Sequence, residues 1–414
     1  MVPNHSNSLC TPYVAMLGQA MTTAILATFC LAVGFLFWPR LSNATLWRAT
    51  ITPLASIIGS GFLVLGPILH SSYGLYAPLA MAALSLLAYL FGAAVRFNIG
   101  TLETAPLRPK LANRIEVLAS WALTFAYVVS VTYYLNLFGA FAVSLTPFNT
   151  PLNAELATTA IFGMILMIGL TKGFRALERL EQFSVAIKLA IIAGLLAGMT
   201  VYFADKTSTS GLIFSPASLS GWSALTLGFG LLITVQGFET SRYLGNSYSA
   251  PTRIYSMKLA QWVSSAIYMV YISLLAYVFA PVVGPISETE IIDMMAIVSP
   301  LLPLLLVIAA LAAQLSAAVA DTSGSGGLTV ELTKGKIGEK QAYAILVVIG
   351  LALTWIADIF QIISYASRAF AIYYALQATI AALSCEQPIR KSLFWALALI
   401  GLLAAVFGRA IEGG

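Results

Sequence analysis

Lys188, Glu239, Arg242, Asp321 and Arg368 stand inside stretches that are otherwise apolar, in a chain of 414 residues that is 59% hydrophobic and only 9% charged. A charge at the centre of a bilayer costs about 2.5–3.5 kcal/mol on insertion scales, so each of these residues must find a partner or a function. A buried lysine there has its charged form disfavoured and can take up and release a proton as water reaches it from alternate sides. Lying about 10 Å deep at 1.5 Å per helical residue, Lys188 can also snorkel to the interface. Asp321 can pair with Lys188 or Arg242, relay a proton, or add charge to a cation site, and a structural salt bridge is the plain alternative. Glu239 and Arg242 lie three apart on one helical face and can pair with each other, a pairing preferred over substrate contact by Arg242, and both are expected to support the broken helix. Arg368, close in sequence to Tyr365 and Tyr373, could gate the outer side, and the sequence assigns it no partner.

Uncharged polar residues add a second set. Tyr127, Ser130 and Tyr134 recur at i, i+3 and i+7, a stripe that either lines an interior cavity or packs with its hydroxyls buried. Thr322, Ser323 and Ser325 carry hydroxyls at a depth near that of Lys188, and hard oxygen ligands of this kind suit sodium. Two helices carry interruptions at their midpoints, Gly59-Ser60-Gly61 and Gln236-Gly237-Phe238-Glu239-Thr240-Ser241. Small residues in a membrane helix often serve only close packing. Matched breaks in two halves instead point to a binding site at the bilayer midplane, where unwound backbone exposes N–H and C=O groups to a ligand. A carboxylate would meet the N–H groups around Ser60 and Gly61, with Gly59 allowing close approach. An amino group would meet the carbonyls near Ile57 and Gln236, beside Gly237, and Phe238 would cap the pocket or pack.

Other chemistries lack their residues. Three cysteines, Cys10, Cys30 and Cys385, have neither disulfide nor metal-ligand spacing, and His5 and His70 are the two histidines. No phosphate-binding Gly-rich Lys loop occurs, and no nucleophile with its base can be assembled, so neither ATP-driven work nor an enzyme is expected, and no cofactor.

The elements that must position these residues are helices. Mean hydropathy is +0.90, alternating barrel patterning is absent, and windows of about 20 apolar residues recur along the chain. About twelve spans are predicted, over 14–38, 50–69, 76–96, 116–144, 152–171, 182–203, 222–246, 258–284, 297–332, 341–357, 359–384 and 392–409. The first lacks a basic leader and is expected to be a true helix. With the N-terminus outside, Arg40, Arg48, Arg96, Arg108, Lys110, Arg114, Lys172, Arg175, Arg179, Arg253, Lys258, Lys334, Lys336, Lys340, Arg390 and Lys391 fall inside, while Lys206 and Arg409 fall outside. The net charge of +5 therefore reflects topology and not nucleic-acid binding. After an extra helix and loop at 1–47, the spans divide into a five-helix repeat at 48–206 and an inverted one at 207–386, followed by a last helix at 387–414. The predicted class is an all-α polytopic membrane protein with a 5+5 inverted repeat. Its short loops suit a bacterial inner membrane, and oligomeric state is not readable.

Three stretches carry a family resemblance. "IIGSGFLVLGPIL" at 57–69 and "QGFETSRYLGNSYSAPTR" at 236–253 resemble the first and sixth helices of the amino acid/polyamine/organocation (APC) superfamily. "GFRALERLEQFSVAIKLAII" at 173–192 is similar to that family's connection between its fourth and fifth helices. Order and spacing agree over about 48–390. The chain departs at Gly245-Asn246-Ser247, where the family usually has an acidic pair before Asn-Pro, at "ADTSGSGGLTVEL" (320–332), and in its additional leading helix. The resemblance implies the leucine-transporter-like architecture and transport of amino acids or related amines. It also implies that Lys188 matches a lysine that, in some members, occupies the place sodium takes in sodium-coupled relatives. The expected function is thus secondary active transport of an amino acid or amine by alternating access, coupled to protons through Lys188. The rival of the same fold is a sodium symporter using Thr322, Ser325 and first-helix carbonyls, and the rival of another class is a receptor or channel.

Overall fold

In a computed structural model, the structure describes residues 10–59, 61–104, 109–171, 175–209, 211–245, 247–280 and 284–410, with side chains at 10–15, 103–104 and 175–182 left undescribed. Ser60, Arg108, Lys172 and Asn246, all named above, lie outside the described residues. The described residues form helices and no strand. In order these are α1 (Cys10–Leu36), α2 (Pro39–Ser42), α3 (Thr45–Ile57), α4 (Gly61–Tyr73), α5 (Ala77–Thr104), α6 (Lys110–Ser144), α7 (Pro151–Thr171), α8 (Arg175–Thr209), α9 (Gly221–Gly230), α10 (Ala250–Ala276), α11 (Glu290–Val298), α12 (Leu302–Leu332), α13 (Glu339–Ile356), α14 (Ile359–Ser384) and α15 (Pro388–Phe407). Short segments of 3-10 helix lie at Gly74–Tyr76, Leu232–Val235 and Phe238–Tyr243.

Among the described residues, nine helical stretches are long and apolar enough to cross a membrane. The other three expected spans carry polar residues or come apart: 50–69 divides into α3 and α4, 222–246 breaks after α9, and α14 is unbroken but rich in Ser, Tyr and Gln. Boundaries also move. α6 begins at Lys110 and not at 116, directly after Pro109, whose fixed φ of −52° leads into the helix. α10 begins at Ala250, with proline tolerated in its first turn where no N–H is needed. The span expected at 297–332 divides at Ser299, which is extended, into α11 and α12. Asp358 caps α14, its carboxylate accepting the Gln361 N–H at 2.9 Å.

α6 is the axis of the bundle, making its largest contacts with α12 and α14. α10 packs on α5 and α3, α15 on α14, and α1 along α8 at the periphery. This places the stripe on α6 and the polar stretch of α12 face to face in the interior, where both broken helices also arrive.

Candidate functional site

The first break opens after Ile57. Ile58, at φ −84° and ψ 49°, leaves the helical region, and α4 resumes at Gly61. In the second break α9 stops at Gly230, Gln236 is extended at φ −84° and ψ 177°, and Gly237 turns left-handed at φ +116°. The two breaks touch. A Cβ at Gly61 would stand 2.7 Å from Thr234 Cα, and one at Gly237 would stand 2.6 Å from the Ser56 carbonyl carbon and 2.7 Å from Ile57 N. Backbone meets backbone, which glycine alone permits. Gly237→Ala is therefore expected to be destabilising by about 1–2 kcal/mol from the left-handed conformation, and by more from a contact that neither backbone can relieve. Thermal unfolding of purified protein checks this against Gly163→Ala in α7, where an added Cβ meets nothing within 4 Å and no loss is expected.

Unwinding frees backbone groups that lipid cannot satisfy, and side chains from neighbouring helices take them up. The Tyr268 hydroxyl on α10 lies between the Ile57 carbonyl at 3.1 Å and the Thr234 carbonyl at 2.7 Å, joining both breaks. On α14, the Ser367 hydroxyl accepts the Ile233 N–H at 3.0 Å and donates to the Gly230 carbonyl at 2.7 Å. The Glu239 carboxylate accepts the Gly237 N–H at 3.0 Å and the Tyr374 hydroxyl at 2.8 Å. Lys188 is buried on α8, and its ammonium donates to the Ala55 carbonyl, two residues before the end of α3, at 3.0 Å. Snorkelling to the interface is thereby ruled out for this conformation. The Ile57 carbonyl, near which the sequence places a ligand's amino group, accepts the Tyr268 hydroxyl in this structure. Beside this break a cavity of about 10 Å³, lined in part by Ile57, Val235, Gln261 and Tyr268, has room for one water.

The α6 stripe meets these elements. Tyr134 accepts the Gln236 side-chain N–H at 3.0 Å, Ser130 donates to Asp321 on α12, and Tyr127 stands edge-on to Phe370 at 6.1 Å. Glu239 and Asp321 lie within electrostatic reach of each other and of Tyr127 and Tyr134. Phe238 is fully buried and stacks on Tyr374 at 5.1 Å. Among the described residues, Oε1 of Gln236, Oε1 of Glu239 and Oγ1 of Thr322 are buried without a hydrogen-bond partner. Ser325 is also buried, one turn further along α12. No group of three or more His, Cys, Asp or Glu able to hold a metal occurs among the described residues.

Arg242 corrects the expected local pair. It turns from Glu239 to Glu116 on α6 at 2.5 Å and to the Gln377 side-chain oxygen on α14 at 2.6 Å. At the break the Gly237 N–H and the Tyr374 hydroxyl both meet one oxygen of the Glu239 carboxylate and orient it away from Arg242. Asp321, likewise, has its hydrogen bond with Ser130 and not with Arg242. Asn98 on α5 donates to Gln377 at 2.8 Å, Gln377 donates to Glu116 at 3.3 Å, and Arg253 donates to the Arg242 carbonyl at 2.8 Å. Glu116 gives no signal in the sequence, because the expected span begins there, at an interface where a carboxylate needs no explanation. Tyr268, Ser367 and Gln377 had no signal beyond being polar residues on apolar helices. Arg368 acquires a partner, its Nε donating at 2.6 Å to the Ala405 carbonyl in the last turn of α15, where a helix dipole favours a cation.

Two interrupted helices meeting inside an all-helical membrane bundle, with hydrogen-bonding side chains gathered at the junction, define the core of a membrane transporter. The comparisons agree. A family model described as APC superfamily transporter matches residues 39–408. An uncharacterised protein of Aquifex aeolicus (strain VF5) is 39% identical over 402 residues, covering 94% of this chain and 97% of the relative. The chain belongs to the APC superfamily transporters.

Proposed function

We propose that the protein is a secondary active transporter that carries a small amino acid or related amine by alternating access, coupled to protons through Lys188. The observation that carries this is the direct contact of the two breaks, Gly61 on Thr234 and Gly237 on Ser56, with Gln236 reaching across to Tyr134 on α6. In this reading the breaks belong to two inverted five-helix units, 48–206 and 207–386, within twelve spans of a bacterial inner-membrane protein whose N-terminus is outside. Gly59, Ser60 and Gly61 receive the carboxylate. The amino group lies toward Gln236 and Glu239, whose buried oxygens lacking partners suit an ammonium with three donors and no acceptor. Lys188 tethers α8 to α3 through Ala55, so losing its proton would loosen the half-helix beside the break. Asp321, held by Ser130, is the second candidate for proton movement. Coupling requires that proton and cargo bind the inward-open and outward-open states with different affinity.

Sodium coupling at Thr322 and Ser325 is the second reading, favoured by the unpartnered Thr322 hydroxyl. Proteoliposomes under imposed gradients separate the two. Accumulation of a labelled amino acid or amine is expected with an alkaline lumen and no sodium, together with saturable counterflow. Accumulation driven by sodium alone would transfer the coupling to Thr322 and Ser325. Absence of counterflow for every amino acid and amine tried would remove the carrier reading in favour of a receptor or channel.

A further inference from the structure

Away from the breaks, a cavity of about 210 Å³ lies between the end of α1, α2, α3 and α8. Phe37, Trp47, Ile51, Phe183, Val185 and Leu189 form most of its wall, and Ser42 is the one hydroxyl among the lining residues. Side chains of this kind, gathered around an open space, suit an apolar ligand. At its edge Phe37 and Phe183 are 41% and 57% exposed with ring centroids 5.7 Å apart.

The charges beside it select among lipids. Arg40 in α2 and Arg48 in the first turn of α3 are exposed, before and after Ser42 in sequence, and no acidic residue occurs between 36 and 58, while on α8 Glu178 and Glu181 precede Phe183 in sequence along with Arg175 and Arg179. Trp38 and Trp47 flank the same turn, the residue type that settles at the headgroup level, and the Arg40 guanidinium lies 5.8 Å from the Trp38 ring. We propose that this cavity is a lipid site, taking one acyl chain of an anionic phospholipid whose headgroup phosphate is held by Arg40 and Arg48. The chain fills the gap between α3 and α8 one helical turn from the Lys188–Ala55 contact, and so braces the half-helix that ends at the first break. This rests on the membrane location of the chain and not on what it carries.

Native mass spectrometry of full-length protein, stripped of lipid in detergent and then offered phosphatidylglycerol and phosphatidylcholine with matched acyl chains, tests the site. One phosphatidylglycerol is expected to persist at collision energies that remove phosphatidylcholine. Arg40→Gln and Arg48→Gln are each expected to cut that preference about five-fold, as a basic residue near an anionic surface supports. Ala186→Trp, which fills the cavity, should lose the retained lipid. Thermal unfolding of the unaltered protein gives a second measure, with phosphatidylglycerol raising the midpoint more than phosphatidylcholine. Equal retention of both lipids, an unchanged preference in both arginine variants, or a retained lipid in a folded Ala186→Trp protein would overturn the site.

Discussion

Replacing Lys188 by alanine is expected to abolish proton-driven accumulation. One proton moved with each cargo molecule under a gradient of one pH unit is worth about 1.4 kcal/mol, enough to sustain roughly tenfold accumulation in the lumen. In Lys188→Ala that ratio should fall to one, while counterflow of labelled cargo, which needs no net driving force, persists. The physical basis is the 3.0 Å contact between the Lys188 ammonium and the Ala55 carbonyl in a site that is 3% exposed. The alanine variant leaves that carbonyl without its lysine donor and removes the group proposed to load and unload the proton. Lys188→Arg separates the two effects, because guanidinium stays charged at every working pH. It should keep the protein folded and still fail to couple. Accumulation ratios measured in proteoliposomes across a series of luminal pH values decide the matter, and an unaltered proton dependence in either variant would take Lys188 out of the mechanism.

Glu116→Ala is expected to destabilise the protein by about 3 kcal/mol, the lower end of what is lost when one partner of a buried ion pair is removed. The lower end applies because the Glu116 side chain is 21% exposed while that of Arg242 is 7% exposed. With the carboxylate gone, Arg242 keeps, among the described residues, the Gln377 side-chain oxygen as its hydrogen-bond acceptor. The double variant Glu116→Ala/Arg242→Met should recover much of the loss, since it removes the stranded charge together with its partner. The cycle of single and double variants, followed by thermal unfolding in detergent, reads the coupling directly. Additive losses would mean that the pair is a solvated surface contact. The network ties the segment Phe238–Tyr243 to α5, α6 and α14, so any movement of that segment relative to α6 must first part Arg242 from Glu116.

Much of this was legible in the amino-acid sequence, and the reason is the bilayer. Apolar runs of helical length, and glycines at the middle of α3–α4 and after α9, are each local signals, set by what a segment must do alone in lipid. The interruption at 57–61 and that at 236–241 were both readable for this reason. So was the inward stripe of Tyr127, Ser130 and Tyr134, because helical periodicity puts them on one face whatever the rest of the chain does.

Partners were not legible. Glu239 and Arg242 are correctly spaced to pair, yet the Gly237 N–H claims the carboxylate and Glu116, more than a hundred residues away in sequence, claims the guanidinium. Tyr268 and Ser367 look like ordinary polar residues until their helices lie across the freed carbonyls of Ile57, Thr234 and Gly230. Arg368 has no acceptor in sequence and finds one where α15 ends. Composition and periodicity by themselves determined that this is a helical membrane protein with two broken helices and a few buried charges, because insertion into lipid judges each segment singly. Which group satisfies which was decided only by tertiary structure, because hydrogen bonds act over about 3 Å between atoms that only the packing of helices brings together.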